Sequence, residues 1–173
     1  MRRLGVLLLV TSGCSALANV EAGYAHAIAK NPEQAAVAVN ANLGIGSGGS
    51  DGSGGGLGAM FRVKLGPNVQ QVALGPMGYV GTEFSQGSPI AIAAMGGIHL
   101  LQIDNVHTTS DGDSFSFGMA SPVAEVFMFV RPALMSFSVA GEYDLRFSRT
   151  PNTGYVSFLI GFGGFAAGGG GVR

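Results

Sequence analysis

The chain has 173 residues, a formal net charge of −1, 11% charged residues, 47% hydrophobic residues and 30 glycines. Typical globular domains carry about 25% charged residues, so little polar material is available to coat a water-facing surface, and disorder would need the opposite composition. The absence of any basic block or stripe excludes nucleic acid as a partner, and a single cysteine leaves no intrachain disulfide.

The chain opens on a leader. Arg2 and Arg3 precede an unbroken apolar run from Leu4 to Val10, and small residues lead from there to Cys14. This is the order of a secretion signal, and the run is far shorter than the ~20 apolar residues of a spanning helix. Thr11-Ser12-Gly13-Cys14 resembles the lipobox of bacterial lipoproteins. The resemblance implies a signal peptide over residues 1–13, cleavage before Cys14, a diacylglycerol on the Cys14 sulfur and membrane lipid as a partner. Ser15 behind it is compatible with the outer membrane. The alternative is an ordinary signal cut near Ala16-Leu17-Ala18 or Ala22. Both readings export the chain to the cell envelope. Loss of the leader removes Arg2 and Arg3 and leaves 7 Lys+Arg against 10 Asp+Glu, a mildly acidic mature chain.

Residues 14–34 read as a tether, alanine-rich from Ala16 to Ala29, either a short helix stopped near Asn31-Pro32 or an extended segment. From Ala35 the pattern becomes period two: Val37, Val39, Leu43 and Ile45 share one face, and Asn40 and Asn42 share the other. That is a strand with one apolar face. Gly46–Gly56 reads as a flexible Gly/Ser loop; its glycines lack the order of a phosphate-binding loop.

Alternation then continues to residue 165. Leu57, Ala59, Phe61, Val63 and Leu65 line one face, with Arg62 and Lys64 on the other. Gly66-Pro67-Asn68 is a turn. Gln70–Phe84 is one strand, or two if Gly75-Pro76 turns the chain. An apolar run follows from Pro89 to Ile103, then a polar loop over Asp104–Ser114. Phe115–Val130 is apolar on both faces in its second half, with Pro122 marking a bend or an edge. In the next strand Met135, Phe137, Val139, Tyr143, Leu145 and Phe147 share a face, and Ser136, Ser138, Glu142, Asp144 and Arg146 share the opposite one. Gly154–Phe165 is the last strand, with Val156, Phe158, Ile160 and Phe162 in phase, and residues 168–173 form a flexible glycine-rich tail.

The pattern predicts an all-β antiparallel meander of about 7–9 strands over residues 35–167, closed into a small barrel, with a β-sandwich as the alternative. In style it resembles the small outer-membrane β-barrel proteins. That resemblance implies apolar side chains toward lipid and Arg62, Lys64, Glu142, Asp144 and Arg146 toward the lumen, paired across it. In a soluble barrel or sandwich the same alternation holds with inside and outside exchanged.

No constellation points to catalysis, and the chain reads as non-enzymatic. His26, His99 and His107 lack the spacing of a zinc site, and His99 reads as an interior histidine. Asp104–Ser114 lacks the calcium-loop frame, and no G-x-S-x-G elbow occurs. Glu142 and Asp144 are neighbours on one strand face, whereas glycosidase carboxylates face each other from different elements; with Arg146 they read as a salt-bridge ladder. No metal or cofactor is expected. Two functions remain: a structural or pore-like envelope barrel with charged side chains plugging its lumen, or a lipid-anchored binding module for a small apolar ligand or another envelope protein.

Overall fold

The computed structural model describes residues 13–28, 35–85, 88–108, 112–147 and 152–168, the side chains of 106–116 excepted. These residues form ten antiparallel strands: β1 Gly13–Ala27, β2 Ala36–Gly48, β3 Ser53–Leu65, β4 Val69–Glu83, β5 Ile90–His99, β6 Leu101–Thr108, β7 Gly112–Gly118, β8 Ser121–Val130, β9 Met135–Asp144 and β10 Thr153–Gly168. The sheet runs β3-β2-β1-β10-β9-β8-β5-β4-β6-β7, and a further β3–β4 pairing closes it on itself. A closed sheet has no exposed edge along its staves, so the sandwich alternative is excluded.

The barrel has eight staves, because two of them are each interrupted once. β5 and β6 run along the same edge of β4, with β5 against Met77–Glu83 and β6 against Val69–Leu74. The register shifts by one residue between the two, which is a β-bulge opposite Gly75 and Pro76. Proline donates no hydrogen bond and glycine has no Cβ, so both belong at such a point. A Cβ on Gly75 would collide with the Ile98 carbonyl oxygen. Gly75-Pro76 therefore interrupts the pairing within β4 and does not turn the chain. β7 and β8 face β6 and β5 in one continuous register, and the break between them lies at Met119-Ala120, where Ala120 takes a left-handed φ of 59°.

Directly opposed residues trace the closure. One circuit runs Leu17, Gly44, Gly58, Met77, Gly97, Val123, Glu142, Tyr155 and returns to β1 at Ala27, ten residues beyond its start. Such a stagger tilts the strands by roughly 35–45° and leaves a lumen that side chains can fill.

Three expectations are corrected. The tether over 14–34 is β1 through Ala27, paired with β2 on one side and β10 on the other. Alanine at the outward positions 16, 18 and 22 gave too little contrast with Leu17, Asn19 and Glu21 for the alternation to show. The Gly/Ser loop 46–56 is the end of β2 and the start of β3, joined by a four-residue turn at 49–52 in which Gly52 has φ 81°. Asp51 Oδ1 accepts from the Ser53 hydroxyl at 2.7 Å and the Ser53 N–H at 3.1 Å, and these bonds hold its carboxyl below the ordinary range. Asp104–Ser114 is largely strand, in β6 and β7, rather than loop. The domain therefore spans residues 13–168. Residues 1–12 of the leader and 169–173 of the tail lie outside the described residues.

Candidate functional site

Inward side chains form two layers. Toward the end where β1 begins and β10 stops, the lumen is filled by Leu17, Met60, Met77, Tyr79, Phe127, Phe129 and Phe165. Phe127 and Phe129 stack with ring centroids 5.6 Å apart, which explains why the second half of the 115–130 segment is apolar on both faces. Gly44 makes room here, since a Cβ on it would meet the Tyr79 ring. The Tyr79 hydroxyl lies 3.0 Å from Ser15 Oγ. At the same end Arg131 pairs with Glu83 and donates to the Phe165 carbonyl at 3.0 Å.

The second layer is ionic. Arg62 donates to Glu142 Oε2 at 2.5 Å and to Glu125 Oε2 at 3.2 Å. Lys64 pairs with Glu142, donates to Asp144 Oδ2 at 3.1 Å, and lies 3.7 Å from the centroid of the Tyr155 ring. Asp144 Oδ2 accepts further bonds from Gln71 at 2.8 Å and Arg146 at 3.2 Å. Arg146 also donates to Asp104 Oδ2 at 2.6 Å and Thr153 Oγ1 at 3.2 Å. Gln102 meets Asp104 at 2.7 Å. At the other end of the chain of contacts, Ser138 Oγ lies 2.6 Å from both Glu21 Oε2 and Glu125 Oε1.

All five sequence-selected charges thus meet in one network, and all are buried. This contradicts the arrangement in which they face water. A charge withdrawn from water is tolerable only with close partners, and closing the barrel brings those partners across the lumen from β3, β8 and β9. Glu21, Asp104, Glu125, Gln71 and Ser138 complete the network without having been selected from the sequence as lumen charges or their partners. Glu21 and Glu125 carried a signal, since each sits in phase with other inward residues, Leu17 and Asn19 for the one and Val123 and Phe127 for the other.

His99 is fully buried at the bulge, and neither ring nitrogen has a protein partner. His26 is outward and stacks on Tyr24; the side chain of His107 lies outside the described residues. Among the described residues no group of three or more His, Cys, Asp or Glu could hold a metal ion. Cys14, a free thiol, is exposed at the start of β1.

The outer surface reverses the usual order. Leu43, Ile45, Leu57, Val80, Phe158 and Phe162 are all between 62% and 75% exposed, and apolar residues face outward along every long strand. Outward grooves are lined by the same kind of residue, such as the one among Val20, Leu43, Phe61, Leu74 and Phe162. An apolar exterior around a charged interior defines the inside-out class of β-barrel, the form that satisfies every backbone polar group within lipid.

No family model matches the chain, and no curated protein matches it. Several solved structures are similar to it. The crystal structure of Neisserial surface protein A (NspA) has a TM-score of 0.47 and 12% identity, over 88% of this chain and 97% of that one. The outer membrane protein Ail of Yersinia pestis, as a backbone structure in phospholipid bilayer nanodisc, has a TM-score of 0.43 and 11% identity over 88% and 99%. The crystal structure of Ail in complex with the heparin analogue sucrose octasulfate has a TM-score of 0.41 and 9% identity over 88% and 99%. At these identities the likeness is one of fold alone.

Proposed function

We propose that this chain is an integral β-barrel of the bacterial outer membrane, non-enzymatic and structural in role, with a lumen closed by its own side chains. The reading rests on one observation: the large apolar residues lie outside and the charges inside. In water that surface would form a contiguous apolar patch far beyond the few hundred Å² that soluble monomers show; in lipid it needs no cover. Staves of 13–16 residues for β1–β4 and β10 exceed the ~9–11 needed to cross a bilayer. The stacked apolar and ionic layers favour a structural barrel over an open pore.

Lipidation of Cys14 belongs to the same proposal. Cys14 is the second residue of β1 and its thiol is exposed, so a diacylglycerol there would sit at the rim of the barrel beside the apolar exterior. A cut after Ala18 would instead remove Leu17 from the apolar layer and Ser15 from Tyr79. The test is a Cys14→Ser protein exported without lipid. It should still need detergent for extraction and should migrate faster on gels unboiled than boiled. A soluble, monomeric Cys14→Ser protein without detergent would overturn the membrane barrel.

A further inference from the structure

Among the described residues, the ionic layer sets five carboxyl groups, Glu21, Asp104, Glu125, Glu142 and Asp144, against three cationic ones, Arg62, Lys64 and Arg146. The excess is concentrated at one place. Glu125 retains Arg62 at 3.2 Å and the Asn40 amide at 3.4 Å. Glu21 has no cation; Oε2 meets Ser138, and Oε1, although buried, has no partner.

Ser138 decides the protonation of this pair. Its oxygen is 2.6 Å from one carboxyl oxygen of each glutamate, both within the 2.5–2.7 Å typical of an O–H···O⁻ bond. A serine hydroxyl carries a single hydrogen and donates once, while its lone pairs accept. Two ionised carboxylates would leave one of these contacts with no hydrogen, oxygen against oxygen, inside a buried site. From this geometry we infer that Glu21 and Glu125 hold one proton between them through Ser138, so that the lumen contains a carboxyl–serine–carboxylate proton site. One glutamate donates to Ser138 Oγ, and Ser138 donates on to the other. The polar and charged groups that meet the site from the surrounding strands are Asn40 on β2 and Arg62 on β3, both donating to Glu125, and, through Arg62, Glu142 on β9.

The site makes the barrel sensitive to alkali. Loss of the proton would place two charges on one hydroxyl with only Arg62 to balance them. The unfolded chain releases both glutamate protons at about pH 4.3, and the folded barrel keeps one. Above that pH the folded state binds more protons, so this site makes stability fall as pH rises until the folded site also deprotonates. Glu21→Gln is the informative variant. Glutamine still donates to Ser138, and the pair then carries a single negative charge whichever glutamate held the proton.

The experiment is infrared spectroscopy of the folded, detergent-solubilised protein at neutral pH, with unfolding temperatures measured across the neutral-to-alkaline range. The wild type should show the carbonyl stretch of a protonated carboxylic acid. Glu21→Gln should lose that band and lose the alkaline fall in stability, and taking the difference between the two proteins cancels the contributions of His99, Asp104 and Asp144. Ser138→Ala, which removes the bridge, should shift the band. No acid band in the wild type, or a band unchanged in Glu21→Gln, would overturn the proposal. So would a missing band accompanied by stabilisation by sodium or potassium ions at constant ionic strength, because a cation would then occupy the position of the shared proton.

Discussion

Arg62 on β3 and Glu142 on β9 are eighty residues apart in sequence and meet 2.5 Å apart inside the lumen. Neither strand touches the other through its backbone. The contact exists because the eight-stave circuit faces their inner sides across a narrow interior, and it couples barrel closure to charge neutralisation.

Removing one member of this pair should be costly. Glu142→Leu leaves Arg62 with Glu125 alone and Lys64 with Asp144 alone, and an under-compensated buried charge costs about 3–5 kcal/mol. Urea unfolding of the folded barrel in detergent should show a lower midpoint with an unchanged slope. Stability within about 0.5 kcal/mol of wild type would mean that water reaches the site and screens it.

The membrane reading predicts a depth-dependent cost on the outer face. Ile160, half-exposed and mid-strand in β10, should lose ~2–4 kcal/mol on substitution by arginine in lipid, and Leu65→Arg at the end of β3 ~0–1 kcal/mol. Refolding into vesicles followed by chemical denaturation measures both. Equal small effects at the two sites would contradict burial of the outer face in lipid.

Backbone spacing predicts an asymmetry between two glycines. Gly75→Val should block assembly, because its Cβ would collide with the Ile98 carbonyl oxygen at the bulge. Gly96→Val should be tolerated, since a Cβ there meets nothing closer than the Val123 carbonyl oxygen at 4.0 Å. The fraction refolded, read from gel mobility without boiling, separates the two variants.

Processing can be checked directly. Mass spectrometry of the exported protein should find a mature N-terminus at Cys14 carrying acyl chains. Two or more chains hold a protein firmly at a membrane, whereas a single one binds only marginally. A mature terminus after Ala18 would mean that β1 forms without Ser15 and Leu17, and the apolar layer should then be measurably less stable than in a chain that retains them.

Period-two alternation from Val37 to Phe162 is a local property, because successive side chains on a strand point to opposite faces. The sequence by itself therefore determined most of the strands between residues 35 and 165, the division of their residues between two faces, and the grouping of Arg62 with Lys64 and of Glu142, Asp144 and Arg146. It did not reveal β1, where small outward alanines leave almost no contrast, or the bulge, where one shifted residue looks like a turn. Nor could alternation say which face is inside, since the same pattern serves a water-soluble barrel and its inverse. Only closure decided that. A ten-residue stagger around eight staves leaves a lumen just wide enough for Arg62 and Lys64 to reach Glu125, Glu142 and Asp144, so the charges neutralise one another inside and the apolar face is left outside.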